Sequence, residues 1–319
     1  MLDVFFTVDV EIWCGGWKNI DAKFPHAFQQ YVYGRTAKGE YGLRYKLQQL
    51  RDHGLYGVFF VEPLFATRFG LEPLAEIVGL IQEHGQEVQL HMHPEWVDEA
   101  KQVLLVNSQH KRQFMRQFSL EEQTTLIAKG IELIQQAGGG RVNAFRAGSF
   151  GFDLNTLHAL AANQIPFDSS YNASMMGLES GVLPGQTLND PVECAGVIEY
   201  PMTLFNDGTG APRHAQLGAC SNLELEGLLR QAYEYQRKSF VILSHNFELL
   251  NANRDNADPI MIKRFRRYCE FMANNKSSFN MRGFHGLSPL ISASSAKALH
   301  SPRWKTLHRI AEQVLRRRY

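Results

Sequence analysis

Acidic and imidazole side chains recur in this sequence where short apolar runs stop. The first run closes Thr7-Val8-Asp9-Val10-Glu11. In an extended chain alternate side chains share a face, so Asp9 and Glu11 converge while Val10 points away. Two acids so placed suit metal ligation together with general-base work, although a solvated turn with stray acids has the same spelling. A later run ends Glu87-Val88-Gln89-Leu90-His91-Met92-His93-Pro94-Glu95-Trp96. Val88, Leu90 and Met92 form one face, and Gln89, His91 and His93 the other. Two imidazoles on one strand face make a zinc pair in chemical type; a lone buried histidine is more often structural.

Two further strand ends add complementary groups. Phe145-Arg146-Ala147-Gly148-Ser149 supplies a guanidinium able to orient a catalytic carboxylate by a bidentate contact, with an ordinary ion pair as the simpler alternative. Phe240-Val241-Ile242-Leu243-Ser244-His245-Asn246 ends an apolar strand in a histidine placed to protonate a leaving group, or to sit satisfied in a core. Each signal alone is weak. Four strands that all end in residue types needed by metal-assisted hydrolysis form the pattern of an active site at the C-terminal face of a barrel.

The elements that must position these groups follow from the apolar patterning. Val4–Val8, Gly57–Val61, Glu87–Met92, Val142–Phe145 and Phe240–Leu243 read as strands separated by amphipathic helices, the habit of βα units around a parallel sheet. Leu74, Ile77, Val78 and Ile81 share one helical face, and Tyr41–His53 is a second helix. Ser119 and Glu122 form a capping box that starts a helix ending at Gly138-Gly139-Gly140. Another helix begins near Pro259. Ser169–Asp207, rich in Gly, Pro and Asn, reads as loops over one end of the scaffold. From about residue 302 the chain reads as a helical extension ending in Arg316-Arg317-Arg318. That cluster suits weak contact with an anionic membrane surface or a lipid-linked substrate, against the plainer reading of cations opposing a helix dipole.

Length and composition bound the function. The 319 residues, 44% hydrophobic and 20% charged, suffice for a large soluble domain and exclude disorder. A net charge of +1 gives no pull toward nucleic acid, and no G-x-S-x-G marks a serine hydrolase. Cys14, Cys194, Cys220 and Cys269 show no C-x-x-C spacing, which fits a reducing compartment. The N-terminus lacks the features of a secretory signal and no run is long enough to span a bilayer, so a cytoplasmic protein is expected.

Taken together, the motifs resemble the polysaccharide deacetylase family (NodB homology, carbohydrate esterase family 4) over roughly Leu2 to Pro289. Thr7 to Glu11 is similar to its first motif, His91 to Pro94 to its metal-histidine motif, Arg146 to Gly148 to its arginine motif, and Leu243-Ser244-His245 to its terminal histidine motif, in the same order. The resemblance implies an α/β fold, a distorted (β/α) barrel with about seven parallel strands, and a divalent metal, zinc by expectation; residues 1–319 are read as a single such domain with the helical extension from about 302. It further implies Asp9 as general base, Arg146 as its orienting partner and His245 as general acid, with metal on Glu11, His91 and His93. Two positions depart from the commonest pattern. Val10 stands where a second aspartate is usual, leaving Glu11 as the acid one residue later. The second histidine usually follows the first by four residues, so His93 or Glu95 completes the site.

The implied activity is hydrolysis of the N-acyl group, N-acetyl by expectation, of a sugar. The missing secretory signal points to a precursor handled inside the cell, nucleotide- or lipid-linked, in surface-polysaccharide or lipopolysaccharide biosynthesis. Trp13, Trp17 and Trp96 offer flat surfaces for sugar rings, or are packing residues. Two rivals stand beside this: a hydrolase of a non-sugar amide or formamide, and a catalytically inactive glycan-binding or assembly protein.

Overall fold

A computed structural model describes residues 1–106, 111–289, 291 and 296–316. Its centre is a curled sheet built on β1 (Leu2–Val10), β2 (Val58–Val61), β3 (Glu87–Met92), β4 (Ala144–Ala147), β5 (Phe167–Asp168), β6 (Val192–Cys194), β7 (Val197–Glu199), β8 (Ser239–His245) and β9 (Phe279–Met281). Seven strands run parallel in the order β8-β1-β2-β3-β4-β5-β7; β6 adds an antiparallel edge, and β9 pairs with the start of β1. Around it lie α1 (Ile20–Phe28), α2 (Leu43–Asp52), α3 (Glu72–Glu83), α4 (Leu120–Gln136), α5 (Leu154–Ala162), α6 (Asn222–Glu234), α7 (Pro259–Asn274) and α8 (Arg303–Arg316). This is the distorted (β/α) barrel expected from the sequence.

The strand patterning explains which side chains reach the interior. Val4, Phe6 and Val8 of β1 pack outward under the helices, while Phe5 belongs to a separate interior cluster with Val58, Phe60, Ala144, Val241 and Leu243. Both faces of β1 are buried, so it reads as a near-continuous apolar run. Phe284, just beyond β9, plugs the interior with ring centroids 5.0 Å from Phe5 and 5.6 Å from Phe167. Above this apolar floor the inward positions turn polar.

The distortion lies between β8 and β7, which do not pair. An irregular stretch bridges them: Thr203 Oγ1 accepts from Val241 N at 2.8 Å, Leu243 N donates to Ala215 O at 3.0 Å, and Leu217 N donates to Leu243 O at 2.9 Å. The segment Ser169–Asp207, expected as loops, contains β6, β7 and the short strand Leu204–Asn206. They are only three residues long each, too short for an alternating pattern to stand out. Ser119 caps α4 as expected, accepting from Glu122 N at 3.2 Å. The strand read at Val142–Phe145 runs from Ala144 to Ala147, which carries Arg146 inside it.

Among the described residues no helix is long and apolar enough to cross a membrane. Arg316, read as part of a membrane-facing cluster, is engaged within the protein: its Nε donates to Asp258 Oδ2 at 2.6 Å and its Nη1 to Gly218 O at 3.0 Å. Arg317 and Arg318 lie outside the described residues.

Candidate metal centre and active site

Strand register brings the polar strand ends together. Asp9 on β1 aligns with His245 on β8 and with Phe60 on β2, Phe60 aligns with Gln89 on β3, and His91 aligns with Arg146 on β4. Asp9, Glu11, His91, His93 and Arg146 are all buried, whereas His245 is partly exposed. A polar floor enclosed on one side and open near His245 results.

Glu11 is the focus of the cluster. Its Oε1 lies 3.1 Å from His91 Nε2 and 3.0 Å from His93 Nε2. Candidate ligand atoms of these three residues all lie within 4.8 Å of one another, as do those of Asp9, Glu11 and His245. Two imidazoles and a carboxylate are the donor set of hydrolytic zinc sites that keep an open position. His91 Nδ1 sits 2.8 Å from the Arg146 carbonyl oxygen, which can only accept, so Nδ1 carries a proton and Nε2 is the ring atom turned toward Glu11. His93 Nδ1 lies 3.3 Å from Glu95 Oε2. Glu95 therefore stands behind His93 as a hydrogen-bond partner, and it is His93 that enters the cluster.

Electrostatics agree with a site built for a cation. Burial acts to raise the Glu11 carboxyl, yet the imidazoles of His93 and His91 outweigh it and hold Glu11 well below the ordinary carboxylate range. Burial acts to lower the His93 imidazole, but Glu11 and Glu95 on either side push it up to about 10. Positive charge is thus drawn to the point between the carboxylates, where a divalent ion would supply it. The residues present fit such an ion.

Arg146 is fixed from every side. Its Nη1 donates to Asp9 Oδ1 at 2.7 Å and to Thr7 Oγ1 at 2.8 Å, its Nε to Ser169 O and its Nη2 to Ser169 Oγ, both at 3.0 Å. Its guanidinium lies over the Phe60 ring, 4.4 Å from the centroid. Asp9 thereby turns Oδ2 toward His91 Nε2 at 3.9 Å. Immediately after Arg146, Gly148 makes room for the histidine pair: a Cβ there would stand 2.7 Å from His93 Nδ1 and 2.7 Å from Met92 O.

Three functional placements escape sequence reading. Trp13 Nε1 donates to Glu11 Oε2 at 2.7 Å, and its ring meets His93 edge-on with centroids 4.8 Å apart, so it orients the carboxylate. Asn246 clamps the Glu11 backbone, accepting from Glu11 N at 3.1 Å and donating to Glu11 O at 3.0 Å. Ser169 anchors Arg146. The position of Asn246 next to His245 was the one available hint. Trp96, read as a sugar platform, is 1% exposed and packs among Trp17, Phe65 and Phe69, so its ring serves the packing. Trp17 is partly exposed, with Lys111 Nζ 3.4 Å from its ring centroid.

A scan against protein-family models finds no match, and a search of curated proteins finds none either. Among solved structures, a Mycobacterium smegmatis protein described as a polysaccharide deacetylase is similar over 93% of this chain and 95% of its own, at 17% identity and a TM-score of 0.56. A family 4 carbohydrate esterase from Streptomyces lividans, in complex with acetate, matches over 93% and 97% at 14% identity and a TM-score of 0.42. The first of these likenesses carries the conclusion about architecture: this chain has the polysaccharide deacetylase fold.

Proposed function

We propose that this chain is a metal-dependent amide hydrolase that removes an N-acyl group, N-acetyl by expectation, from a sugar or sugar-linked precursor. In this reading residues 1–319 act as one deacetylase-like domain with a helical extension from about 302. The observation that carries it is the convergence of Glu11, His91 and His93 beside an Arg146-fixed Asp9, with His245 on the open side. Glu11, His91 and His93 would hold the ion, zinc by preference for this donor set. When bound, a divalent ion supplies Lewis acidity toward an acyl carbonyl and makes water a readier nucleophile.

The chain's own residues account for the proton movements. Asp9, held as a carboxylate acceptor by Arg146, takes the proton of the attacking water through Oδ2. Arg146 fixes the direction of that acceptor. His245, at the end of β8 and on the more exposed side, gives a proton to the departing amine. Trp13 keeps Glu11 oriented, in place of the sugar contact read for it from sequence, although its partly exposed ring remains beside the site.

The substrate class proposed is a nucleotide- or lipid-linked N-acyl sugar of surface-polysaccharide or lipopolysaccharide assembly, handled in the cytoplasm. The motif resemblance supports the N-acyl sugar, and four unpaired cysteines suit a reducing compartment. The test is acyl release from free, nucleotide-linked and lipid-linked N-acetyl sugars by zinc-loaded protein beside Asp9→Asn. Acetate produced by wild type alone supports the reading. Turnover of simple amides or formamides with none of the sugars would replace it by the non-sugar alternative, and no turnover of either by metal-loaded protein would favour a binding role.

A further inference from the structure

The C-terminal helix α8 is mounted the wrong way round for a soluble protein. Trp304, Leu307, Ile310, Val314 and Leu315 are each 44 to 65% exposed, and with Ala311 they cover one continuous arc. At 100° per residue that arc is about 140° wide. The opposite, polar face is the one packed on the body. Arg309 Nη2 donates to Asp207 Oδ2 at 2.7 Å and its Nε lies 3.2 Å from Glu224 Oε2. Thr306 Oγ1 accepts from Gly208 N at 2.8 Å, Arg264 Nη2 donates to Glu312 Oε2 at 2.7 Å, and Arg316 is held by Asp258. Buried ion pairs on one side fix the orientation, so the apolar side has no route back to the core. Single exposed apolar residues are ordinary; a contiguous stripe of large ones marks a contact surface.

Charge says what covers it. Of the six cations that the sequence places in residues 303–319, Arg309 and Arg316 are paired with carboxylates of the body, so the positive charge beside the outward face of the described helix is that of Arg303 and Lys305. Glu312 is taken by Arg264, and among the described residues of the outward face none is acidic. Arg303 and His308 border the stripe in solvent, and Lys305 reaches beside Trp304, its Nζ 5.5 Å from the ring centroid. An apolar stripe with an aromatic near one end, rimmed by cations, fits the interface of an anionic bilayer. A second copy fits poorly, because two such helices face to face would set the bordering cations of one against those of the other.

We propose that α8 docks this protein in the plane of an anionic membrane surface. The helix is tied to the rim of the candidate site: Arg316 donates to Gly218 O, Gly218 N donates to Glu248 Oε1 at 2.9 Å, and Ser244, next to His245, donates to Glu248 Oε2 at 2.6 Å. Docking therefore holds the mouth beside His245 close to the surface. The inference stands on the helix alone and does not require the proposed reaction.

The test is flotation of the full-length protein with vesicles of equal parts phosphatidylcholine and phosphatidylglycerol, and with phosphatidylcholine alone. Wild type is expected to float with the anionic vesicles, to do so less as salt is added, and to bind the neutral ones weakly. Leu307→Ser with Val314→Ser is expected to weaken binding at least about tenfold, with unchanged Tm because both positions are exposed. Arg303→Glu with Lys305→Glu should weaken binding to the anionic vesicles specifically. Failure of wild type to bind, equal binding to both vesicle types, or undiminished binding by the serine variant would overturn the proposal. So would light scattering that shows a wild-type dimer split by the same serine substitutions.

Discussion

His91 Nδ1 donates to the main-chain oxygen of Arg146 at 2.8 Å, while the Arg146 side chain donates to Asp9. One residue of β4 thus sets both the tautomer of a candidate metal ligand and the direction of the candidate base. The parallel register that aligns His91 with Arg146 makes this possible. A metal-ligating histidine fixed through its other ring nitrogen is a preorganised donor.

Asp9→Asn keeps the shape of the side chain and an oxygen for the Arg146 guanidinium but removes the base. The expected result is a kcat lower by about 10²- to 10⁴-fold with metal content close to wild type, and a lower Tm because the buried Arg146 loses the charge of its partner. Steady-state acyl-release kinetics beside elemental analysis check both halves.

Glu95→Gln separates a ligand from a partner of a ligand. Because Glu95 contacts His93 Nδ1 and lies outside the ligand cluster, one equivalent of metal should still bind, with Kd weakened by about tenfold or more. Competition with a chelator of known affinity measures it. Loss of stoichiometric binding would make Glu95 a ligand.

Trp13→Phe removes the indole donor to Glu11 and keeps most of the ring. Metal affinity is expected to fall by about 10- to 100-fold while KM for a sugar substrate changes less, which distinguishes orienting the carboxylate from stacking on substrate.

The strand ends were legible in the sequence for a physical reason. Strands buried on both faces spell apolar runs, so a carboxylate or imidazole at the end of one stands out, and alternation puts Asp9 with Glu11 and His91 with His93 on one face. Asn246, Ser169 and the Trp13–Glu11 bond were not legible because two of those contacts join residues 235 and 23 positions apart, and the third depends on how a loop turns. Nor does periodicity reveal which side of an amphipathic helix faces inward. In α8 that choice is made by Asp207, Glu224 and Asp258, which belong to other parts of the chain.

Lys46 on α2 gives a pH-dependent prediction away from the ligands. It is fully buried, with Nζ donating to Ser244 Oγ at 2.7 Å, and burial lowers its ammonium pKa from 10.5 to about 8. Between those values the unfolded chain binds more protons than the folded one, so this group adds stability as pH rises from about 8 to 10.5 and withdraws it on the way down. Lys46→Met should therefore gain on wild type by on the order of 3 kcal/mol more at pH 7.5 than at pH 10.5. Denaturant unfolding at the two pH values measures the difference.

The central claim is that Glu11, His91 and His93 hold one divalent ion. Elemental mass spectrometry of the purified protein, beside His91→Ala and His93→Ala, tests it most directly. The account predicts close to one equivalent in wild type, zinc before other ions, and loss in both variants with the fold retained by circular dichroism. A wild-type protein that stays empty after incubation with zinc at neutral pH, or variants that keep their metal, would contradict it.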